Sequence, residues 1–127
     1  MFLPEVMIFV LAFLFYIGGI GIHILTIRKI IPYTLINGGR SESYDAQAKQ
    51  SYISIVVLMI GLIYVFCGLL FPSFKRSVFF MVISFILALL WLLGTVMQLL
   101  GTKFERYFVS WLNIIAVLSH IELTLIY

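Results

Sequence analysis

An all-α integral membrane fold, an antiparallel four-transmembrane-helix up-and-down bundle, is what this sequence predicts. Three observations predict it. Charged residues make up 10% of the 127-residue chain and hydrophobic ones 64%, whereas a soluble domain carries about 25% charged residues. So little polar surface cannot face water on all sides, and lipid becomes the expected solvent. Four apolar runs, each of about 20 residues and long enough to span a bilayer, follow one another along the chain. Small basic groups separate them, a pattern that suits membrane boundaries better than a nucleic-acid surface. Residues 1–127 therefore read as a single four-helix transmembrane domain with little mass outside it.

The first span is expected at about 4–27. Pro4 suits a first helical turn because its missing N–H has no partner to lose there, and Glu5 complements the positive end of the helix dipole. The segment has no basic residue ahead of its apolar run and no A-x-A-like site after it, so it reads as a retained helix rather than a cleaved signal peptide.

Residues 28–51 form the one long polar connection. Pro32 stops the helix, and Asn37-Gly38-Gly39 tolerates the positive φ of a turn. A helix restarts near Ser41 or Ser43 with a hydroxyl as N-cap, and Asp45 and Lys49 then stand in the favourable i,i+4 order. The second span is placed at about 52–71, ending at Phe71-Pro72. After a short turn with Lys75 and Arg76, the third span covers about 78–100. Residues 101–106 turn again, and the fourth span covers about 107–126. Short turns make consecutive helices neighbours.

Basic residues set the orientation. Arg28, Lys29, Arg40, Lys49, Lys103 and Arg106 flank one side and Lys75 and Arg76 the other. Connections 28–51 and 101–106 are therefore expected in the cytoplasm of a plasma membrane, with both chain ends outside.

Residues seven apart on a helix point within about 20° of each other. Each span carries one small or polar seam at that spacing: Glu5, Ala12, Tyr16, Gly19, His23 and Thr26; Ser51, Ser54, Gly61 and Gly68; Ser84, Ala88, Trp91, Thr95, Gln98 and Thr102; Ser110, Asn113, Val117, His120 and Thr124. In lipid such seams face other helices, where backbones approach closely and polar groups find partners.

Polar residues inside spans are costly and mark candidate sites. His23, Ser54, Gln98 and Asn113 fall at one depth near the cytoplasmic boundary, as a ligand layer or as interhelical hydrogen bonds that fix register. Glu5 and His120 form a candidate pair near the outer boundary. His120 and Glu122 are two apart on one helix and point away from each other, so they form no acid–base dyad, and Glu122 is expected to reach the headgroup region. Arg28, Lys29, Gly38, Gly39 and Arg40 are candidate contacts for an anion or lipid headgroup, since a glycine turn beside a helix start presents backbone N–H groups. The alternative is an ordinary turn and cap with topology charges.

No hydrolase, protease or Walker motif is present. Cys67 is the only cysteine, so no intrachain disulfide or thiolate cluster is possible. His23 and His120 fall near opposite faces, so one haem cannot join them within a chain. No metal and no cofactor are expected.

A short run, Gly18-Gly19-Ile20-Gly21 before Arg28, is similar to the opening of the small dimeric fluoride channels, but the polar second helix and phenylalanine motif of that family have no counterpart here. Small multidrug resistance transporters share the four-helix size and carry a glutamate well inside the first helix, where this chain has only Glu5 at the end.

The expected function is that of a small polytopic membrane protein acting through helix contacts, an accessory, regulatory or immunity-type subunit without its own catalysis. Membrane lipids, a second copy or a larger membrane protein are the expected partners, and nucleic acid is not. An oligomeric transporter or channel with a pathway lined by His23, Gln98 and Asn113 is the alternative. A headgroup-binding protein or enzyme using Arg28, Lys29 and Arg40 is the third reading.

Overall fold

The computed structural model describes residues 1–126; Tyr127, the last residue of the expected domain, lies outside the described residues. All regular structure among them is helical: α1 Glu5–Ile27, α2 Tyr44–Leu70, the single turn α3 Pro72–Lys75, α4 Val78–Leu99 and α5 Ser110–Thr124. Two 3-10 turns, Tyr33–Leu35 and Asn37–Gly39, lie in the long connection, and a π-helical segment, Glu105–Val109, leads into α5. Four helices are long and apolar enough to cross a membrane: α1, α2, α4 and the continuous Glu105–Thr124.

Local chemistry sets the ends. α1 closes with Lys29 in the left-handed region at φ 62, its N–H on Thr26 O and that of Ile30 on Leu25 O, the two bonds that satisfy a helix's last carbonyls. Ser43 Oγ caps α2 by accepting from the Ala46 N–H at 3.2 Å. Ser77 Oγ does the same for α4 through the Phe80 N–H at 3.1 Å. Pro72 opens α3.

The last helix begins earlier than residue 107. Thr102 Oγ1 accepts from the Glu105 N–H, and Glu105 Oε1 accepts from the Thr102 N–H, both at 3.2 Å. This is the reciprocal capping of a T-x-x-E sequence, and it starts the helix one turn before the apolar run. The Ser110 N–H then reaches back to Glu105 O, the i→i−5 step of a π-helix.

α1 lies between α2 and α5, and α5 also packs along α4. The buried apolar core is drawn from one half of the bundle: Phe9, Phe15 and Tyr16 of α1, Leu58 and Val65 of α2, Phe80 of α4, and Ala116 and Leu123 of α5. Two rings press directly on the α2 backbone. A Cβ at Gly61 would lie 2.3 Å from Tyr16 Cε1, and one at Gly68 would lie 2.5 Å from Phe80 Cε2, so these seam positions admit no side chain without movement.

Much of the seam pattern is buried, including Ala12, Ser51, Gly61, Gly68, Ser84, Ala88 and Thr95. On α5 the buried stripe is wider and turned: Ala116, Ser119, Glu122 and Leu123 join Asn113 and His120, while Val117 and Thr124 are half-buried. The reason is that α5 is covered from two sides, by α1 and by α4. Rows of Leu, Ile, Val and Phe, among them Ile17, Ile60, Phe85 and Leu93, stay more than half exposed.

Candidate functional site

At the end away from the long connection the helices are tied together. Tyr64 Oη on α2 reaches Ser84 Oγ and Phe80 O of α4, each at 2.7 Å, and the Tyr64 and Phe80 rings stack at 4.9 Å. Lys75 pairs with Glu5. The Phe2 N–H donates to both carboxylate oxygens of Glu122, at 3.0 and 2.9 Å.

Toward the connection α2 and α4 part. A cavity of about 380 Å³ separates Ser54 and Val57 of α2 from Gly94 and Met97 of α4, a volume within the range of small-molecule sites. Its rim is exposed, since Ile53, Val57, Leu93 and Met97 all line it and all stand on the outer surface. It therefore opens sideways, through the gap between the two helices.

The inner wall is Trp91, held by a compact aromatic cluster. Trp91 Nε1 donates to Tyr16 Oη at 3.3 Å, and Tyr16 Oη meets His120 Nε2 at 2.9 Å. His120 Nδ1 lies 2.7 Å from Ala116 O, so Nδ1 carries a proton and Nε2 accepts one from the tyrosine. Phe15 packs edge-on against Trp91 at 4.7 Å. This cluster closes the cavity on the side of the buried core.

The other end of the cavity is polar. His23, Ser54, Gln98 and Asn113, the four residues expected at one depth, all line it. A hydrogen-bond chain stands behind the histidine. Ser41 Oγ donates to Gln47 Oε1 at 2.6 Å, and Gln47 Nε2 donates to Ser51 Oγ at 3.0 Å. Ser51 Oγ in turn lies 3.0 Å from His23 Nδ1. Gln98 Oε1 is buried with no hydrogen-bond partner, alone in this among the buried side-chain oxygens and nitrogens of the described residues.

A second cavity of about 200 Å³ lies under the long connection and shares His23, Ser54 and Gln98 with the first. Its lid is the glycine turn. Gly38 and Gly39 have φ of 63 and 69, the left-handed region that glycine adopts without steric cost. The Gly38 N–H donates to Glu105 Oε1 at 2.8 Å, and Thr102 Oγ1 donates to Leu35 O at 2.6 Å.

Several expected groupings are not brought together. Glu5 meets Lys75 and His120 meets Tyr16, so Glu5 and His120 form no pair; one faces the α3 turn and the other the bundle interior. The N–H of Gly38 is already satisfied by an internal carboxylate, Glu105, which corrects the reading of the turn as an open anion cradle. Arg40 Nε returns to Asn37 O and Arg40 lines the second cavity, while Lys29 Nζ lies 5.6 Å over the Tyr44 ring. Asp45 and Lys49 make no ion pair; Lys75–Glu5 is the one pair among the described residues. Glu122 is buried at 6% exposure rather than reaching outward, because the start of the chain folds over it.

Sequence reasoning missed Glu105, Tyr16's junction role and Gln47. The T-x-x-E pattern at Thr102–Glu105 was the signal for the first, and the i,i+4 spacing of Gln47 and Ser51 was the signal for Gln47; Tyr16 has none, because its partners Trp91 and His120 lie on other helices. No protein-family model matches this chain, and no curated protein or solved structure matches it either.

Proposed function

We propose that this chain is a small polytopic membrane protein that acts by binding, as an accessory or regulatory subunit, with four antiparallel spans and the α2–α4 cleft as its receiving surface. The cleft is the observation that carries this reading. It joins an apolar, laterally open wall to a polar end containing His23, Ser54, Gln98 and Asn113. The direction of the helices is supported by their end contacts: Glu5 at the start of α1 meets Lys75 beyond the end of α2, and His23 near the end of α1 meets Ser51 near the start of α2. Insertion is supported by the exposed apolar rows, which form patches far larger than a water-facing surface tolerates. α2, with 27 residues, extends about 40 Å, so its first turns with Asp45, Gln47 and Lys49 stand beyond a hydrocarbon core of about 30 Å. The excess of basic residues supports a cytoplasmic placement of connections 28–51 and 101–106.

The transporter reading is weaker for a single chain. Its pathway would run through His23, Gln98 and Asn113, and the Tyr16–Trp91–His120 cluster stands across it. A second copy would have to supply the remainder of the route.

The test is insertion and orientation. The protein should resist alkaline extraction from membranes. In a Cys67→Ser background, single cysteines placed at Glu42 and at Ser73 should label from opposite sides with an impermeant maleimide. Extraction at alkaline pH, or labelling of both sites from one side, would overturn the reading.

A further inference from the structure

We infer that the α2–α4 cleft and the cavity under the long connection together hold one phospholipid with an amine head, of the phosphatidylethanolamine class. The head sits in the cavity and an acyl chain lies in the cleft. This rests on the proposed membrane placement and names the ligand of that receiving surface.

Two charged side chains that do not pair with each other choose the head. Glu105 and Arg40 both line the cavity. Glu105 is 4% exposed, and its Oε1 accepts from three neutral donors, the Gly38 N–H and the N–H and hydroxyl of Thr102. Its other oxygen, Oε2, accepts no hydrogen bond within the described residues. Gln98 Oε1 is the one side-chain oxygen or nitrogen among them that is both unpartnered and sealed off, so Oε2 stays open to a small donor. No cation neutralises this carboxylate, since Lys75–Glu5 is the one ion pair among the described residues. A buried carboxylate without a counter-charge is costly. An ammonium group on Oε2 supplies the charge and a charge-assisted hydrogen bond together.

Arg40 donates through Nε to Asn37 O, which leaves its two terminal nitrogens for a phosphate. An anionic lipid would meet Arg40 but leave Glu105 unneutralised beside a second negative charge. A choline head carries its positive charge behind methyl groups and has no N–H to donate. A head with phosphate and ammonium complements both side chains.

Depth chooses the tail. The cavity adjoins the cleft, and His23, Ser54 and Met97 line both. From Gln98 to Leu90 on α4 the cleft runs about 12 Å, close to half of a hydrocarbon core of about 30 Å. Neither Lys, Arg, Asp nor Glu lines it, and Ile53 and Leu93 at its rim are exposed, so an acyl chain enters from the side. A head under the polar connection therefore leaves its chain directed into the membrane.

The experiment uses the full chain carrying Trp111→Phe, in which Trp91 on the inner wall of the cleft is the remaining tryptophan. The protein is reconstituted in phosphatidylcholine vesicles. Quenching of Trp91 is titrated with chain-brominated phosphatidylethanolamine, phosphatidylcholine, phosphatidylglycerol and diacylglycerol in separate series. Phosphatidylethanolamine should quench at about tenfold lower mole fraction than phosphatidylcholine, the effect of one charge-assisted hydrogen bond. Glu105→Gln, which keeps an oxygen for the Gly38 N–H, should erase that preference. Arg40→Gln, at an exposed position, should leave it intact and instead erase the preference of phosphatidylcholine over diacylglycerol. Equal quenching by all four lipids in the protein with Glu105 and Arg40 intact means bulk lipid contact only and overturns the inference, whatever becomes of the variants. A preference for phosphatidylglycerol, or an ethanolamine preference that survives Glu105→Gln, overturns the amine assignment. Relief of quenching by soluble glycerophosphoethanolamine at the lipid's own concentration would show that the head binds without a chain in the cleft, and overturns it too. Protein that remains in alkali-washed membranes without a headgroup preference defeats this inference alone; protein that leaves the membrane defeats the placement beneath it.

Discussion

The Gly38 N–H donates to Glu105 Oε1 at 2.8 Å, joining residues 67 apart in the chain. The carboxylate that caps the last helix is thereby also the anion that fills the glycine turn of the long connection. One buried side chain, 4% exposed, holds the lid of the polar cavity to the base of α5.

Glu105→Ala removes the acceptor for the Gly38 and Thr102 N–H groups together. Hydrogen bonds to a charged partner contribute roughly 1.5–3 kcal/mol, so a loss of about 2 kcal/mol is expected in detergent unfolding titrations. Cleavage between residues 33 and 40 by a nonspecific protease should quicken. An unchanged cleavage rate would show that the carboxylate does not hold the connection.

Gly61→Val drives a side chain into the Tyr16 ring, where a Cβ alone would stand 2.3 Å from Cε1. Overpacking of this kind costs about 1–3 kcal/mol. Gly21→Ala is the matched control. No atom lies within 4 Å of its added Cβ, and alanine is the better helix former by about 1 kcal/mol, so its stability should be equal or higher. Unfolding midpoints of the two variants check both directions.

Tyr16→Phe strips one hydroxyl from two partners, Trp91 Nε1 and His120 Nε2. A loss of about 1–2 kcal/mol is expected, together with a shift in Trp91 emission measured in the Trp111→Phe background. The double variant with His120→Leu should cost less than the sum of the single ones, since the buried imidazole is then absent. Strict additivity would mean the two side chains do not share a bond.

Glu5→Gln should change stability by less than about 1 kcal/mol. Its partner Lys75 is nearly buried, but Glu5 itself is 40% exposed, and half-exposed ion pairs contribute little. A larger loss in the same unfolding assay would show that the pair locks α1 to the α3 turn.

Much of the helix pattern was legible because it depends on near neighbours in sequence. Ser43 caps α2 and Pro72 opens the turn after it, and the period-seven seams mark Gly61, Gly68, Ser84 and Ala88 as contact positions. The shared depth of His23, Ser54, Gln98 and Asn113 followed from counting residues from the span ends. Pairing was not legible in the same way. Glu5 and His120 were expected at one end of the bundle, yet Glu5 meets Lys75 while His120 meets Tyr16, three turns and about 16 Å further along α1. Counting from span ends does not fix the depth of one helix against another closely enough to choose between such partners.

Composition and periodicity by themselves determined that this chain forms four long apolar helices, each with one small or polar flank, because those properties are set within a helix by its own residues. Only the tertiary structure decided that α2 and α4 close at the Tyr64–Ser84 end and part at the other, that Gln98 Oε1 is left without a donor, and that Glu105 fills the Gly38 turn. Each of these depends on distances between side chains on different helices, and those distances are fixed by how bulky rings such as Tyr16 and Phe80 seat on the glycines of α2.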